Sequence, residues 1–469
     1  MKMYLCGTWR DAARQQPVHS PFDDSLVDLV PRGTPQDIRE AVTGLVSGAV
    51  SMRRLTAMDR GQLLRQAAAG LREQSEEFAR LISREEGKVI TESRLEVSRA
   101  AETLDLSAEE ARRIAGDMIP LDAAPGGGGK LGFTVRVPCG IVAAITPFNF
   151  PLNLVCHKVG PAIAAGNAVL IKPASDTPLT ALKLVEVLLR AGIPDTAIAC
   201  VTGPGAELSE AICRDERIRK ISFTGSAEVG RRICAAAELK RVTMELGSNS
   251  PIIVLDDADL ELASRAVAGG GYANAGQVCI SAQRILVHDA VAADFLDALR
   301  PQVALLCEGD PLDDSTRLGP MVRESEAARV ECWIQEAVAA GAQPILTGQR
   351  RGAFCPATIL DHVDPRSRIS CEELFGPAVA VTRCQSVDEA IRLANDSRFG
   401  LAAGIFTRDL QRAMRFIHEV DAGNLHVNWT SQWRADLMPY GGLKESGFGK
   451  EGPRYAVRDM TEEKMVVIH

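Results

Sequence analysis

From about residue 135 onward, the sequence alternates short β-rich runs with helical runs. The β-rich runs NAVLIKP, IRKISFTG and RVTMELG are separated by segments such as PLTALKLVEVLLRAG, in which apolar residues recur every three or four positions. Strands that alternate with helices form βαβ units and a parallel sheet. A second alternating series begins near Glu261 and includes QRILVHD, PAVAVTRC and NLHVN. The sequence therefore predicts two α/β domains, each built on a largely parallel sheet.

The residues before the first β-rich series predict a helical section that is followed by a break. Apolar residues recur with helical spacing from Pro35 to about Ala115, and four consecutive glycines then follow Pro125. Such a run cannot sustain a helix. We therefore expect residues 118–136 to leave the first domain as an extended arm. A chain of 469 residues also exceeds what a single hydrophobic core usually organises.

Composition narrows the classes of function. The chain has a formal net charge of −8 and no dense run of Lys and Arg, which argues against nucleic acid or an anionic membrane as its main partner. No apolar run is long enough for a signal peptide or a membrane span. The 12 cysteines are dispersed, without a CxxC pair or zinc-like Cys/His spacing. These features predict a cytoplasmic protein with free thiols, a small-molecule substrate and no metal.

Ligands of parallel sheets bind beyond the carboxyl ends of the strands, and four of the predicted strand ends carry polar residues. Asn149 lies in ITPFNFP between two prolines, and its side-chain amide could donate to an oxyanion. Lys172 in IKPAS could reach a sugar hydroxyl or a phosphate. FTGSAEVG leads through Gly225 into a helix start that favours an anion, although its spacing is not GxGxxG. Glu245 in MELG follows apolar residues, and burial there would raise its pKa into the range of a general base. Each of these patterns also occurs in ordinary turns.

The stretch GYANAGQVCIS sets Cys279 among small residues, away from the helical apolar patterns that hold most of the other cysteines. Together with ITPFNFP, IKPA, FTGSAEVG, MELGSNSP, EELFGP and MPYGGLKESGFGKEG, this stretch occurs in the order and at the approximate separations typical of aldehyde dehydrogenases. The chain resembles the aldehyde dehydrogenase superfamily over essentially its whole length. The resemblance implies that Cys279 is the nucleophile, Glu245 the general base, and Asn149 the oxyanion donor beside the Cys279 backbone N–H.

The same resemblance implies a site for NAD or NADP in a Rossmann-like dinucleotide-binding domain. Lys172 matches the lysine that binds the adenosine ribose, Ser226 opens the helix against the pyrophosphate, and Glu373 with Phe375 matches the pair on the nicotinamide ribose. The motifs extend this predicted cofactor site to Thr146, Pro147, Phe148, Ala174, Ser175, Gly225 and Leu246. Members strict for NAD often carry a glutamate at the position of Ser175, so the sequence leaves NAD and NADP open.

Substrate choice is predicted from two regions. His157 lies two turns beyond Asn149, at a place that faces the substrate tunnel in the family, and Trp429 and Arg434 lie in a late loop near the tunnel mouth. They suggest a small polar aldehyde, hydroxylated or anionic, as in lactaldehyde or semialdehyde dehydrogenases. The alternatives are a histidine satisfied by its helix neighbours, and an Arg434 that forms a structural ion pair with Asp436 or another carboxylate.

The resemblance also implies the domain organisation and the assembly. We expect a dinucleotide-binding domain from residues 1–117 and 137–244, a catalytic domain from 245–440, and a small β oligomerisation arm from 118–136 and 441–469. Because the arm adds strands to a neighbouring subunit and so covers an exposed edge, a homodimer or homotetramer is expected.

Three other functions remain as alternatives. A CoA-acylating aldehyde dehydrogenase would resolve the thioester with a thiol, but acylating members commonly lack the base that Glu245 provides. A thioesterase-like hydrolase would leave the dinucleotide motifs without a purpose. A catalytically silent structural or binding protein of the same fold would not require Cys279, Glu245 and Asn149 together.

Overall fold

The computed structural model describes residues 1–469, and its regular elements follow the predicted alternation. The helices are α1 (Pro35–Arg54), α2 (Ala57–Glu73), α3 (Ser75–Glu86), α4 (Ile90–Ala111), α5 (Asn153–Ala164), α6 (Leu179–Arg190), α7 (Gly205–Arg214), α8 (Ala227–Ala237), α9 (Leu260–Tyr272), α10 (Ala292–Ala304), α11 (Glu324–Ala339), α12 (Arg368–Cys371), α13 (Val387–Asn395), α14 (Leu410–Glu419) and α15 (Pro453–Asp459).

The strands are β1 (Met3–Leu5), β2 (Thr8–Arg10), β3 (Gln15–His19), β4 (Leu26–Pro31), β5 (Met118–Ile119), β6 (Leu131–Pro138), β7 (Ile141–Ile145), β8 (Ala168–Lys172), β9 (Ile198–Cys200), β10 (Ile218–Thr224), β11 (Arg241–Glu245), β12 (Pro251–Val254), β13 (Arg284–His288), β14 (Gln343–Leu346), β15 (Thr358–Asp361), β16 (Ala378–Cys384), β17 (Phe399–Gly400), β18 (Ala402–Phe406), β19 (Asn424–Val427), β20 (Leu443–Lys444), β21 (Gly447–Phe448) and β22 (Thr461–Ile468).

The first large sheet has eight strands in the order β2-β1-β9-β8-β7-β10-β11-β21. Its five central strands are parallel, and β1, β2 and β21 pair antiparallel at the edges. From β7 the chain proceeds one way to β8 and β9, whereas β10 and β11 lie on the other side. The point of reversal between β7 and β10 opens a crevice, which is where sheets of this kind bind ligands.

The second large sheet has seven strands in the order β14-β15-β16-β13-β12-β18-β19. All of them are parallel except β14, which pairs antiparallel with β15. The strands are nearly continuous apolar runs, as expected for parallel strands covered on both faces. The predicted α/β fold class, with two parallel-sheet units, is confirmed.

A third sheet has the order β22-β6-β5 and joins residues from the two ranges expected to form the arm. Strand β22 pairs antiparallel with β6 along its whole length, from Thr461 opposite Pro138 to Ile468 opposite Leu131. Within the range 441–469, β21 instead adds to the edge of the first large sheet beside β11. Residues near the C-terminus therefore contact both the arm and the edge of that sheet.

No helix combines the length and the apolar character needed to span a membrane. The N-terminal hairpin of β3 and β4 was not predicted from the sequence. Its strands contain Pro17 and end at Pro31, and half-exposed strands of mixed polarity give a weak periodic signal.

Candidate active site

The four predicted strand-end turns meet at one edge of the first sheet. Strands β7, β8, β10 and β11 are parallel, so that the residues following them emerge on the same side. Asn149 follows β7, Lys172 ends β8, Gly225 follows β10, and Glu245 ends β11. This common edge accounts for their convergence, although the four turns are far apart in the sequence.

Cys279 reaches the same place from the side of the second large sheet. It lies in the loop between α9 and β13, directly after a tight turn in which Asn274, Ala275 and Gly276 all have positive φ. A Cβ on Gly276 would lie 2.0 Å from the Gly376 carbonyl oxygen, so only glycine fits there. The turn ends α9 abruptly, and the partly buried Cys279 lines a cavity with residues that follow strands of the first sheet.

Asn149, Glu245 and Cys279 line one cavity of about 280 Å³, together with Phe148, Leu246, Glu373 and Phe375. The Asn149 amide nitrogen donates to the Gln277 carbonyl oxygen at 2.8 Å, which ties it to the loop of Cys279. The Asn149 side-chain oxygen is buried without a hydrogen-bond partner, and so are both carboxylate oxygens of Glu245. Buried polar atoms without partners are rare, and they are typical of groups that meet a ligand or water.

The local environment shifts the pKa values of the reactive groups. Burial, followed by the negative charge of Glu451, raises the pKa of Glu245 well above its usual value. Burial raises the pKa of the Cys279 thiol to about 12, and the hydrogen bond with Tyr440 opposes this shift. A carboxyl group with a raised pKa beside a thiol is the arrangement expected of a general base near a nucleophile.

A second cavity of about 750 Å³ continues from the first along the crevice between β7 and β10. Pro147, Gly225 and Ser226 line both cavities. All eleven residues expected to bind the cofactor line one or both of them: Thr146, Pro147, Phe148, Lys172, Ala174, Ser175, Gly225, Ser226, Leu246, Glu373 and Phe375. The sequence-based cofactor residues therefore form one continuous cleft that leads to Cys279.

The chemistry of this cleft fits a dinucleotide. Lys172 Nζ is almost fully buried and donates only to the carbonyl oxygen of its neighbour Pro173, at 2.8 Å; burial lowers its pKa to about 8. The Thr146 hydroxyl is buried without a hydrogen-bond partner, so it is available to bind a ligand oxygen. The Ser226 side chain caps α8, whose first backbone N–H groups suit a pyrophosphate.

Glu373 lines the first cavity. Its Oε1 accepts a hydrogen bond from the Ser248 backbone N–H at 3.0 Å, and burial raises its pKa to about 7. A Cβ on Gly247 would lie 2.2 Å from Glu373 Oε2, so this carboxylate keeps its position only beside a glycine. The Phe375 ring meets that of Phe148 edge to face, with centroids 5.8 Å apart.

The three residues expected to contact the substrate are His157, Trp429 and Arg434, and their environments differ from those of the cofactor residues. His157 is only 1% exposed, and its Nε2 lies 2.8 Å from Asp436 Oδ1 and 3.1 Å from Arg434 Nη2. Arg434 pairs with Glu451 at 3.1 Å, while Asp436 is paired with Arg99. His157 therefore lies in a buried charge network and does not line either cavity.

Trp429 follows β19 and is 42% exposed, outside both cavities. Arg434 is closer to the reacting groups, because its guanidinium carbon lies 3.9 Å from the centre of the Tyr440 ring, whose hydroxyl reaches Cys279. The Arg434 Nε is buried and has no hydrogen-bond partner.

The sequence did not single out Tyr440, Lys158 or Glu451. Lys158 Nζ donates to Glu451 Oε1 and to Thr224 Oγ1, both at 2.7 Å, so that it links the end of β10 to the C-terminal loop. Lys158 and Glu451 are buried. In the sequence, Lys158 is a charged residue inside an otherwise apolar helix, and Tyr440 and Glu451 lie in the motif MPYGGLKESGFGKEG.

Comparison with known proteins agrees with this geometry. The model of the aldehyde dehydrogenase family matches residues 9–466. The 3-sulfolactaldehyde dehydrogenase of Priestia aryabhattai is 45% identical, with 100% of this chain and 98% of the relative covered. The aspartate-semialdehyde dehydrogenase 1 of Pseudomonas canavaninivorans is 42% identical over 96% of each chain.

Among solved structures, the NADP-dependent glyceraldehyde-3-phosphate dehydrogenase of Bacillus halodurans C-125, complexed with NADP, superposes with a TM-score of 0.98. It is 33% identical, and the match covers 100% of this chain and 99% of that chain. The chain therefore belongs to the aldehyde dehydrogenase family and is an NAD(P)-dependent oxidoreductase that acts on aldehydes.

Proposed function

We propose that this enzyme oxidises a short aldehyde carrying an anionic group to the corresponding acid, with Cys279 as nucleophile, Glu245 as general base and Asn149 as oxyanion donor. One observation carries the assignment of roles. Side chains from three distant segments, after β7, at the end of β11 and before β13, line one cavity of about 280 Å³ that continues into the dinucleotide cleft.

In the first step the Cys279 thiolate attacks the aldehyde carbon. The carbonyl π electrons move to oxygen and give a thiohemiacetal oxyanion. Asn149 lies in the same cavity, and its amide nitrogen is held by the Gln277 carbonyl oxygen. Its second N–H is available to the oxyanion, and such a donor typically accelerates the step by about 100- to 1000-fold.

Residues of the cleft would hold the cofactor with its reactive end beside Cys279. Lys172 and Ser175 would hold the adenosine side, Ser226 the pyrophosphate and Glu373 the nicotinamide ribose, and all four line the cleft. When bound, the nicotinamide supplies the acceptor for the hydride that leaves the thiohemiacetal carbon. The chain limits the access of bulk water to this transfer by burying Glu245 and Asn149 beside it.

In the last step Glu245 removes a proton from water, which attacks the Cys279 thioester carbon. The C–S bond breaks, its electron pair returns to sulfur, and the acid leaves. Both carboxylate oxygens of Glu245 are free of hydrogen bonds. Its raised pKa makes the carboxylate a stronger base than an exposed one.

The charge balance behind Cys279 supports an anionic substrate. The network contains two buried cations, Lys158 and Arg434, and the partly exposed Arg99. Ion pairing outweighs burial for Glu451 and Asp436 and holds the pKa of each carboxyl below its usual range. Burial and the nearby Arg434 lower the pKa of His157, which favours the neutral ring. While Glu245 is protonated, which its raised pKa favours, these groups carry one positive charge in excess. The unpartnered Arg434 Nε is then a donor for a carboxylate or sulfonate.

The names of two relatives agree with this substrate class, because 3-sulfolactaldehyde and aspartate semialdehyde are both short aldehydes with an anionic group. The test is a panel of succinic semialdehyde, 3-sulfolactaldehyde, lactaldehyde, glycolaldehyde and propanal, with reduction of NAD and NADP followed by absorbance. Anionic aldehydes should give the highest kcat/KM. In Arg434→Gln the preference for succinic semialdehyde over propanal should fall at least tenfold. Equal use of neutral and anionic aldehydes by the parent enzyme would exclude this substrate class.

We also propose a homodimer or homotetramer in the cytoplasm. The sheet β22-β6-β5 exposes Met118, Ile119, Leu131, Met465, Val467 and Ile468, an apolar edge that a second copy could cover. None of the 12 cysteines is in a disulfide, which suits a reducing compartment. Light scattering of the purified chain tests the assembly, and a monomer at micromolar concentration would contradict it.

A further inference from the structure

The hydroxyl of Tyr440 lies 3.0 Å from Cys279 Sγ, a hydrogen-bond distance for sulfur. It is the sole hydrogen-bond partner of this sulfur, and Cys279 is the sole partner of the phenol. The two residues are 161 positions apart in the chain. A polar group in direct contact with the nucleophilic atom is in a position to change the energy of that atom's charged form.

Several contacts fix the phenol in this place. The backbone N–H groups of Tyr440 and Glu451 each donate to the other's carbonyl oxygen, at 3.2 and 2.7 Å. The ring packs with Val278 and Ile280, the two neighbours of Cys279. On one face it carries the Arg434 guanidinium, 3.9 Å from the ring centre. Tyr440 is 3% exposed, so no water competes freely for its hydroxyl.

The reaction requires a negative charge on the sulfur twice. The thiolate attacks the aldehyde, and the thiolate leaves when the thioester is hydrolysed. Burial raises the pKa of the Cys279 thiol to about 12, which disfavours this charge, and the contact with Tyr440 acts in the opposite direction. Burial also raises the pKa of Tyr440 well above its usual value, so the phenol keeps its proton and can only donate to a thiolate.

We propose that Tyr440 is a catalytic residue that donates a hydrogen bond to Cys279 Sγ whenever the sulfur is charged, both in the attack and in the release of the acid. The phenol proton remains on Tyr440 throughout. Before the attack the thiol proton passes to the Glu245 carboxylate, which lines the same cavity and releases it to solvent, and the sulfur lone pair then forms the C–S bond. When water gives a proton to Glu245 and attacks the thioester carbon, the C–S bond breaks and its electron pair returns to sulfur. The inference rests on Cys279 being the nucleophile.

Other charged groups also face the sulfur. Arg434 stabilises the thiolate, whereas Glu373 and Glu245 oppose it. Lys158 and Glu451 lie one contact further away and balance each other. Tyr440 differs from all of these because it touches the sulfur and is uncharged, so its removal leaves the surrounding charges unchanged.

The test compares Tyr440→Phe with the parent enzyme by alkylation with iodoacetamide across pH 6 to 10. Modification is followed by mass spectrometry on the peptide that contains Cys279, because Cys307, Cys332 and Cys371 are exposed and will also react. Loss of a hydrogen bond to a charged sulfur should lower the alkylation rate at pH 7.5 by about 10- to 100-fold. The plot of alkylation rate against pH should shift to higher pH by an amount that corresponds to this fall in rate.

Tyr4→Phe is the matched control. It removes another buried phenol, which donates to the Asp195 carbonyl oxygen at 3.2 Å in the far part of the first sheet, and it should leave the profile in place. In turnover, the kcat/KM of Tyr440→Phe should fall at pH 7.5 and recover towards the parent value as the pH rises. Thermal melting checks that the variant is folded.

An unchanged pH profile for Cys279 in a folded Tyr440→Phe enzyme would overturn the proposal, whatever happens to kcat. A failure of the proposed function is distinguishable, because Cys279 alkylation would then leave aldehyde turnover intact in the parent enzyme.

Discussion

Lys158 Nζ and Glu451 Oε1 lie 2.7 Å apart where neither side chain reaches solvent. The pair joins α5 to the loop that carries Tyr440, and the lysine also donates a hydrogen bond to the hydroxyl of Thr224 at the end of β10. This contact therefore holds together three segments that meet behind the reacting groups.

Lys158→Met should destabilise the protein by about 3–5 kcal/mol, because it leaves Glu451 buried with one ion pair fewer. The measurement is the midpoint of urea unfolding. Lys158→Met combined with Glu451→Gln should recover part of the loss, since the unpaired charge is then removed. Arg265→Gln breaks the exposed contact with Glu261 and should leave the midpoint unchanged. Equal midpoints for Lys158→Met and Arg265→Gln would contradict the role given to the buried pair.

Glu245→Gln should abolish steady turnover while leaving one rapid equivalent of reduced cofactor. The amide cannot deprotonate water, so the Cys279 thioester accumulates. Stopped-flow absorbance should show a burst without a subsequent steady phase, and mass spectrometry should find the acyl group on Cys279. A variant that turns over at the parent rate would remove Glu245 from the mechanism.

The pH dependence of the parent enzyme follows from the same residue. Burial and Glu451 raise the pKa of Glu245, and only its deprotonated form is a base. Turnover limited by thioester hydrolysis should therefore be low below this raised pKa and increase as the pH rises through it. Pre-steady-state hydrolysis rates across pH 5 to 9 measure this, and a rate that is flat over that range would contradict it.

Ser175→Glu should lower the ratio of kcat/KM with NADP to kcat/KM with NAD by at least tenfold. Ser175 Oγ donates to the Gly203 carbonyl oxygen at 2.9 Å and lines the cleft beside Lys172. A carboxylate there would repel a 2′-phosphate. Ser47→Glu on the exposed face of α1 is the control and should not change the ratio. If Ser175→Glu also leaves the ratio unchanged, the adenosine ribose binds elsewhere.

Gly247→Ala should weaken cofactor binding without unfolding the protein. The added methyl group would meet Glu373 Oε2 at 2.2 Å, so the carboxylate must move from its place in the cavity. The dissociation constant for NADP, from quenching of tryptophan fluorescence, should rise at least tenfold. Gly269→Ala, where a Cβ meets nothing within 4 Å, is the matched control. Unchanged NADP affinity in Gly247→Ala would place Glu373 outside the cofactor site.

The parallel sheets and the strand-end turns could be predicted because their signals are local. The apolar run before Lys172 and the Gly-Ser helix start at 225–226 can each be recognised within a few residues. Because parallel strands share an edge, the position of each turn along the chain was enough to bring Asn149 and Glu245 together.

The buried network could not be predicted in this way, because its contacts join residues that no local pattern relates. Lys158 and Glu451 are 293 positions apart, and His157 is 279 positions from Asp436. The sequence-based interpretation placed His157 at the substrate, whereas the structure surrounds it with Asp436 and Arg434. Which of several carboxylates an arginine selects depends on tertiary packing, as Arg434 shows by pairing with Glu451.

The central claim is that Cys279 forms the covalent bond to the aldehyde carbon. The most direct measurement is aldehyde-dependent reduction of NAD and NADP, without CoA, by the parent enzyme and by Cys279→Ser. NADP affinity and thermal melting confirm that the variant is intact. The account predicts turnover in the parent enzyme and a loss of at least 1000-fold in the variant, with cofactor binding retained. Turnover that survives the loss of the thiol would contradict it.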